Sequence, residues 1–108
     1  MERKVIYSSG TRKFLRNLIY ILFENDYFGF QEDAKNYVDR ITIFIEEKIA
    51  EFPSKETPEV LKKFGERYVT YKANNRTTWY IFFSQEEDFY FIKFITNNHT
   101  DFIQNFNL

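Results

Sequence analysis

Apolar residues recur at helical spacing in the first half of the chain and alternate with polar residues in the last third. The first helical segment, residues 11–24, follows Ser8 and Ser9, which are candidate capping residues. The second, residues 31–51, ends before Pro53, because the residue before a proline resists helical geometry. The pattern predicts two amphipathic helices. Their predicted buried stripes are Leu15, Leu18, Ile19 and Leu22 in the first helix, and Ala34, Tyr37, Val38, Ile41, Ile45, Ile49 and Phe52 in the second.

Four segments read as β-strands: residues 3–8 before the first helix, then residues 66–72, 77–84 and 89–96. We place a two-residue turn at Asn74–Asn75, because asparagine tolerates the positive φ that such a turn needs. The element order β-α-α-β-β-β predicts a single α+β domain over residues 1–108. In it, two antiparallel helices pack on one face of an antiparallel sheet.

This turn places Lys72 opposite Thr77, and the next predicted turn, at residues 85–88, places Trp79 opposite Phe94. Alternation along the strands then assigns each side chain to one face of the sheet. The face under the helices is predicted to carry Tyr68, Thr70, Trp79, Ile81, Phe83, Tyr90, Ile92 and Phe94. The other face is predicted to carry Arg67, Val69, Tyr71, Thr78, Tyr80, Phe82, Phe91, Lys93 and Ile95.

The second face is too apolar to be left in water, chiefly through Val69, Tyr80, Phe82, Phe91 and Ile95. We therefore expect something to cover it. The candidates are a partner segment, the C-terminal residues 101–108, and a second copy of the chain.

Composition narrows the environment of the protein. The 108 residues include 14 Phe and 8 Tyr but no Cys, so disulfides and cysteine-ligated metals are excluded. The apolar run at residues 18–23 is far shorter than the roughly 20 residues of a membrane span, and the N-terminus lacks the apolar region of a signal peptide. We expect a cytoplasmic protein that needs no membrane, metal or cofactor.

Charge is unevenly distributed although the net charge is only −1. Residues 60–80 hold five basic side chains and one acidic one, whereas residues 24–59 are predominantly acidic. Proteins that bind nucleic acid over their whole surface are usually basic overall. The sequence therefore allows a local basic patch, and the alternative is two solvated faces of opposite sign.

The chain resembles the RelE/ParE superfamily of bacterial toxin–antitoxin systems over nearly its whole length. The resemblance rests on the element order and on five stretches. These are VIYSSGTRKFLRNL at residues 5–18, the second helix ending at EFP, FGERYVTYK, NNRTTWYIFF and the closing FIKFITNNH.

The resemblance implies a toxin that a cognate antitoxin neutralises. Some relatives cut messenger RNA on the ribosome without a metal, and others poison DNA gyrase on the same scaffold without a nuclease site. Two functions therefore stay open, an endoribonuclease and a non-enzymatic binding protein. The chain could also form a homodimer. Arg67 and the basic segment favour the first, whereas the near-neutral charge and Tyr80, where cleaving relatives often have arginine, favour the second.

Metal-free RNA cleavage needs a base for the 2′-hydroxyl, cations for the phosphate and an acid for the leaving oxygen. The candidate catalytic residues are Arg67, His99, Tyr71 and Tyr80, with Arg67 ranked above His99. The candidate target-binding residues are Lys62, Lys63, Lys72, Arg76 and Lys93. Each has a structural alternative: His99 as a hydrogen-bonding group at the end of the last strand, the tyrosines as sheet packing, and the cations as solvated surface.

Overall fold

The structure is a computed structural model that describes residues 3–24, 31–106 and 108. The predicted break between the two long helices, at residues 25–30, lies outside the described residues. The strands are β1 (Lys4–Tyr7), β2 (Lys55–Glu56), β3 (Arg67–Lys72), β4 (Thr78–Glu86) and β5 (Phe89–Asn97). The helices are α1 (Ser9–Glu24), α2 (Gln31–Lys48), a 3₁₀ helix (Glu59–Phe64) and the short α3 (Asp101–Gln104).

The five strands form one mixed sheet in the order β1-β5-β4-β3-β2. β3, β4 and β5 are consecutive and antiparallel, and β1 joins the same sheet, as predicted. The prediction of a wholly antiparallel sheet is wrong, because β1 pairs with β5 in parallel. The pattern also missed β2, whose two residues are too few to show alternation.

Polar contacts fix the ends of the two long helices. The Ser8 Oγ accepts a hydrogen bond from the Thr11 backbone N–H at 3.1 Å, so Ser8 is the capping residue and α1 begins two residues earlier than predicted. α2 ends at Lys48, three residues before the predicted end. There the Arg3 guanidinium donates to the backbone carbonyls of Glu46 and Glu47, each at 2.7 Å, which satisfies acceptors that a helix end leaves unpaired.

The main core lies between α1, α2 and one face of the sheet. Trp79, Ile81 and Ile92 lie in this core with Leu15 and Ile41, as predicted. Phe52, predicted as buried, lies beyond the end of α2 and is 41% exposed. The buried members are Leu15, Leu18, Val38, Ile41, Ile45, Ile49, Val69, Trp79, Ile81, Phe83, Tyr90, Ile92 and Ile95.

The predicted face of β3 is wrong because its register is shifted by one residue. Lys72 lies opposite Thr78 rather than Thr77. The connection is a five-residue loop, residues 73–77, in which the Asn74 side-chain oxygen accepts hydrogen bonds from two backbone N–H groups, those of Arg76 and Thr77. A slip of one residue exchanges the faces of a strand. Consequently Val69 points to the helices, and Tyr68, predicted on the helix side, lies in a cluster on the other face.

The register of β5 changes at a bulge. Phe83 lies opposite Ile92 whereas Phe82 lies opposite Phe94, so Lys93 has no partner in β4. After the bulge, each residue of β5 lies on the face opposite to the one that simple alternation predicts. Ile95 therefore lies in the helix-side core, and Phe94, predicted under the helices, packs on the other face.

A second apolar cluster covers the face of the sheet that is turned away from α1 and α2. Phe82 is fully buried there beside Tyr68, and Ile103 of α3 is 3% exposed. Phe64 of the 3₁₀ helix and Leu108 pack against the same cluster. The sequence allows three candidates to cover this face: a partner segment, the C-terminal residues and a second copy of the chain. In the structure the chain's own C-terminal segment covers this part of it.

A buried tyrosine predicts how stability depends on alkaline pH. The Tyr7 hydroxyl is buried with no hydrogen-bond partner among the described residues. Burial, and to a lesser extent the Glu46 carboxylate, raises the pKa of Tyr7 above its ordinary value. As pH rises, the unfolded chain therefore loses this phenol proton before the folded protein does. The contribution of Tyr7 to the free energy of unfolding is fully present below about pH 10 and is lost as pH rises above it.

We expect Tyr7→Phe to reduce the alkaline loss of stability and to leave stability at neutral pH equal or higher, because an unpaired buried hydroxyl is removed. Burial raises the pKa of Tyr68 too, so part of the loss remains. The measurement is urea unfolding at about pH 8 and about pH 10.5, on either side of the ordinary tyrosine pKa. Tyr20→Phe, at an exposed position, is the control. A steeper alkaline loss in Tyr7→Phe than in the wild type would contradict the account.

Candidate functional site

The structure does not bring the predicted catalytic residues together. Arg67 is the first residue of β3 and lies opposite Phe83, not in mid-strand beside Phe82 as predicted. Alternation puts it on the helix side with Val69. Its guanidinium donates to the Ser54 hydroxyl at 2.7 Å and to the Ser54 carbonyl at 2.9 Å. Arg67 therefore holds the segment that follows α2 against the start of β3.

The two candidate tyrosines lie on opposite faces of the sheet. Tyr71 is half-buried against the helix-side core, with its ring centroid 4.9 Å from that of Phe44. Its predicted place on the exposed face is wrong for the same reason as that of Val69. Tyr80 lies on the second face, as predicted, with its ring centroid 6.1 Å from that of Tyr68. The two rings therefore cannot stack on one base.

The candidate lysines are dispersed over the surface. Lys62 forms ion pairs with Glu56 at 3.1 Å and Glu59 at 3.5 Å, and the hydrogen bond that it donates to the Glu56 carboxylate is the largest cause of its raised pKa. The Lys63 ammonium lies 5.2 Å above the ring of Phe64. Lys72 and Lys93 are exposed, at the end of β3 and at the bulge of β5.

His99 and Arg76 are the two candidates that the structure brings to one place. Both line a cleft of about 610 Å³ at the end of the sheet where β3 finishes and β5 finishes. We call this the hairpin cleft. Arg67 lies at the other end of β3, five residues from Lys72 and thus about 17 Å away along the strand. The hairpin cleft therefore cannot include Arg67.

Hydrogen bonds between the β3–β4 loop and the turn after β5 build the rim of the hairpin cleft. The His99 Nε2 and the Thr77 Oγ1 are 3.1 Å apart. The Asn98 side chain accepts from the Thr78 backbone N–H at 2.9 Å and donates to the Arg76 carbonyl at 3.0 Å. The His99 backbone N–H donates to the Asn97 side chain at 2.9 Å. These bonds hold the backbones that carry Arg76 and His99 in a fixed relation.

Two aromatic side chains, Tyr37 and Trp79, line the floor of the hairpin cleft. The Trp79 Nε1 donates to the Tyr37 hydroxyl at 3.0 Å, and the two rings meet edge to face with centroids 6.5 Å apart. Phe14 packs on Trp79 in the same manner at 6.2 Å. Tyr37 and Trp79 were predicted as core residues only. The sequence places them 42 positions apart, so only the packing of α2 on the sheet reveals the pair.

The apolar wall of the hairpin cleft comes from α1. Leu18, Ile21 and Leu22 line it, and Ile21 is 50% exposed. Asp and Glu do not occur among the described lining residues. The site therefore combines an apolar wall with one guanidinium and one imidazole, and neutral amides and hydroxyls complete it. This arrangement suits an anionic ligand that carries a flat apolar part.

The chain matches no protein-family model, no curated protein and no solved structure. The RelE/ParE resemblance therefore stays a prediction from sequence. Within residues 3–24, 31–106 and 108, none of the helices has the length and apolar character to cross a membrane. The same described residues hold no group of three or more His, Cys, Asp or Glu side chains suited to a metal ion.

Proposed function

We propose that the protein is the toxin of a type II toxin–antitoxin system, of RelE/ParE type, and that it inhibits growth by cutting messenger RNA on the ribosome. The two long helices follow β1 and precede the antiparallel strands β3, β4 and β5, and both helices lie on one face of the sheet, which supports the scaffold part of the proposal. A cognate antitoxin neutralises the protein. The observation that carries the enzymatic part is that His99 and Arg76 line the same cleft.

The proposed reaction needs no metal. The His99 imidazole accepts the proton of an RNA 2′-hydroxyl, and the 2′-oxygen forms a bond to the adjacent phosphorus. The bond from phosphorus to the 5′-oxygen breaks, and solvent supplies the proton of the leaving hydroxyl. The Arg76 guanidinium stabilises the charge that develops on the phosphate. Thr77 holds the imidazole through its hydroxyl and acts as a positioning residue.

The products are a 2′,3′-cyclic phosphate and a free 5′-hydroxyl. Purified protein added to a bacterial cell-free translation reaction is expected to produce messages with these ends. General acid–base catalysis typically contributes about 10²–10⁴-fold, so we expect His99→Ala to slow cleavage at least a hundredfold. Arg67→Ala is expected to retain most cleavage, because Arg67 lies far from the cleft and binds Ser54. Wild-type protein that leaves the message intact would exclude the nuclease.

The second candidate is a non-enzymatic toxin that binds DNA gyrase. The separation of Arg67, Tyr71, Tyr80 and His99 favours it, because no second predicted catalytic residue joins His99 in the hairpin cleft. A gyrase supercoiling assay distinguishes the two candidates. Inhibited supercoiling together with intact messenger RNA would support gyrase binding, and cleaved message with normal supercoiling would support the nuclease.

A further inference from the structure

We propose that the hairpin cleft binds a nucleoside phosphate, with the base against the wall of α1 and the phosphate at Arg76. The inference deepens the proposed function and rests on it only for the claim that the nucleotide belongs to RNA. A free nucleotide and one nucleotide of single-stranded RNA both present a flat base joined to an anionic phosphate.

The two halves of the cleft fit the two halves of such a ligand. Ile21 is half-exposed at the mouth and Leu18 is buried behind it, so a flat ring that enters along α1 removes apolar surface from water. Arg76 and His99 lie on the rim formed by the β3–β4 loop and the turn after β5. A guanidinium binds phosphate through paired hydrogen bonds. A purely apolar ligand would make no ionic contact with Arg76 on the rim, and phosphate alone would make no apolar contact with the wall of α1.

Charge distinguishes this cleft from a second depression of similar volume among the described residues. The groove between α1 and α2, of about 600 Å³, is lined by Arg16 and Lys35 together with Glu32. Lys35 is already paired with Asp39 at 3.0 Å. The hairpin cleft has no carboxylate among its described lining residues, so none of them carries a negative charge that would repel an anion. The rim is also fixed in advance by the bonds of Asn98, which lowers the cost of ordering on binding.

The cleft contains its own spectroscopic probe. Trp79 is the single tryptophan of the chain and lies in the floor of the cleft. A ligand that seats against the floor is expected to change Trp79 emission in a saturable way. We expect adenosine 5′-monophosphate to do so at micromolar to millimolar concentration, and we expect inorganic phosphate and adenosine each to bind at least tenfold more weakly, since each lacks one half of the contacts.

Two variants test the two halves separately. Arg76→Ala is expected to weaken adenosine 5′-monophosphate binding by about tenfold or more, because it removes a charge-assisted contact. Ile21→Ala is expected to weaken nucleotide binding but not phosphate binding, and its exposed position protects the fold. Arg16→Ala, at an exposed arginine in the groove between α1 and α2, is the control and should bind as the wild type does.

Amide resonances of residues 74–79 and 97–99 give an independent record of the same titration. A short single-stranded RNA that binds more tightly than the free nucleotide, with the same dependence on Arg76, would identify the RNA strand as the source, and equal affinities would identify a free nucleotide. The absence of saturable change in both emission and resonances would overturn the inference, as would equal binding of phosphate alone. Binding without messenger RNA cleavage would refute the proposed reaction and leave the nucleotide site standing.

Discussion

Phe82→Ala is expected to lower the free energy of unfolding by about 3–5 kcal/mol, among the largest effects that a single side chain can have. Phe82 is fully buried in β4, on the face turned away from the long helices. Its ring centroid lies 5.5 Å from that of Tyr68, 6.1 Å from that of Phe94 and 6.2 Å from that of Phe64. Truncation would leave a cavity between the sheet and the segments that cover it, since packed interiors relax only in part.

Denaturant unfolding monitored by circular dichroism measures this change, with Phe89→Ala as the matched control. Phe89 is the same residue type at the start of the neighbouring strand, but it is 39% exposed. We expect the control to lose about 1 kcal/mol or less, because most of the transfer energy of a partly exposed ring is never gained on folding. Equal losses in the two variants would mean that the C-terminal segment does not cover the second face in solution.

Gly65→Ala is expected to destabilise the protein by about 3 kcal/mol or more, although it adds a single methyl group. Gly65 precedes β3 with a φ of 152°, in a region that side chains rarely adopt. An added Cβ would lie 2.6 Å from the Phe83 backbone nitrogen and 2.9 Å from the Phe82 carbonyl carbon. These are backbone atoms of a central strand, so neither can move aside without disturbing the sheet.

Gly10→Ala is the opposite control for this prediction. Gly10 lies in the first turn of α1, and nothing lies within 4 Å of the position that its Cβ would take. Alanine there is expected to raise stability by about 0.5–1 kcal/mol, because glycine has the lower helix propensity. Thermal unfolding of the two variants beside the wild type provides the comparison. A Gly65→Ala protein as stable as Gly10→Ala would show that the 3₁₀ helix is not held against β4 as described.

The sequence predicted the elements and their order well, because helical periodicity and strand alternation are local signals. The register was harder. A shift of one residue in the pairing, with Lys72 opposite Thr78 instead of Thr77, was enough to reverse β3 and misplace Val69. The bulge at Lys93 did the same to Phe94. Neither feature has a local sequence signature strong enough to outweigh simple alternation.

The candidate site was predicted only in part, for the same reason. Sequence chemistry singled out His99 and Arg76, but residue type alone could not show that the β3–β4 loop and the turn after β5 meet. Arg67 ranks first from sequence because the predicted register of β3 places it on an open face. Its actual contacts with Ser54 depend on a connector whose path alternation does not encode. Tyr37 and Trp79 were missed as site residues because both fit a core pattern.

Growth of bacterial cells after induced expression shows whether the protein is a toxin that acts through the hairpin cleft. The wild type, His99→Ala and Arg67→Ala are compared at equal soluble levels, with Arg67→Ala as the control for loss of a hydrogen-bonding cation outside the cleft. We expect growth arrest by the wild type and by Arg67→Ala, and near-normal growth with His99→Ala. Unimpaired growth with soluble wild-type protein would contradict the toxin, and arrest by His99→Ala with growth restored in Arg67→Ala would contradict the cleft.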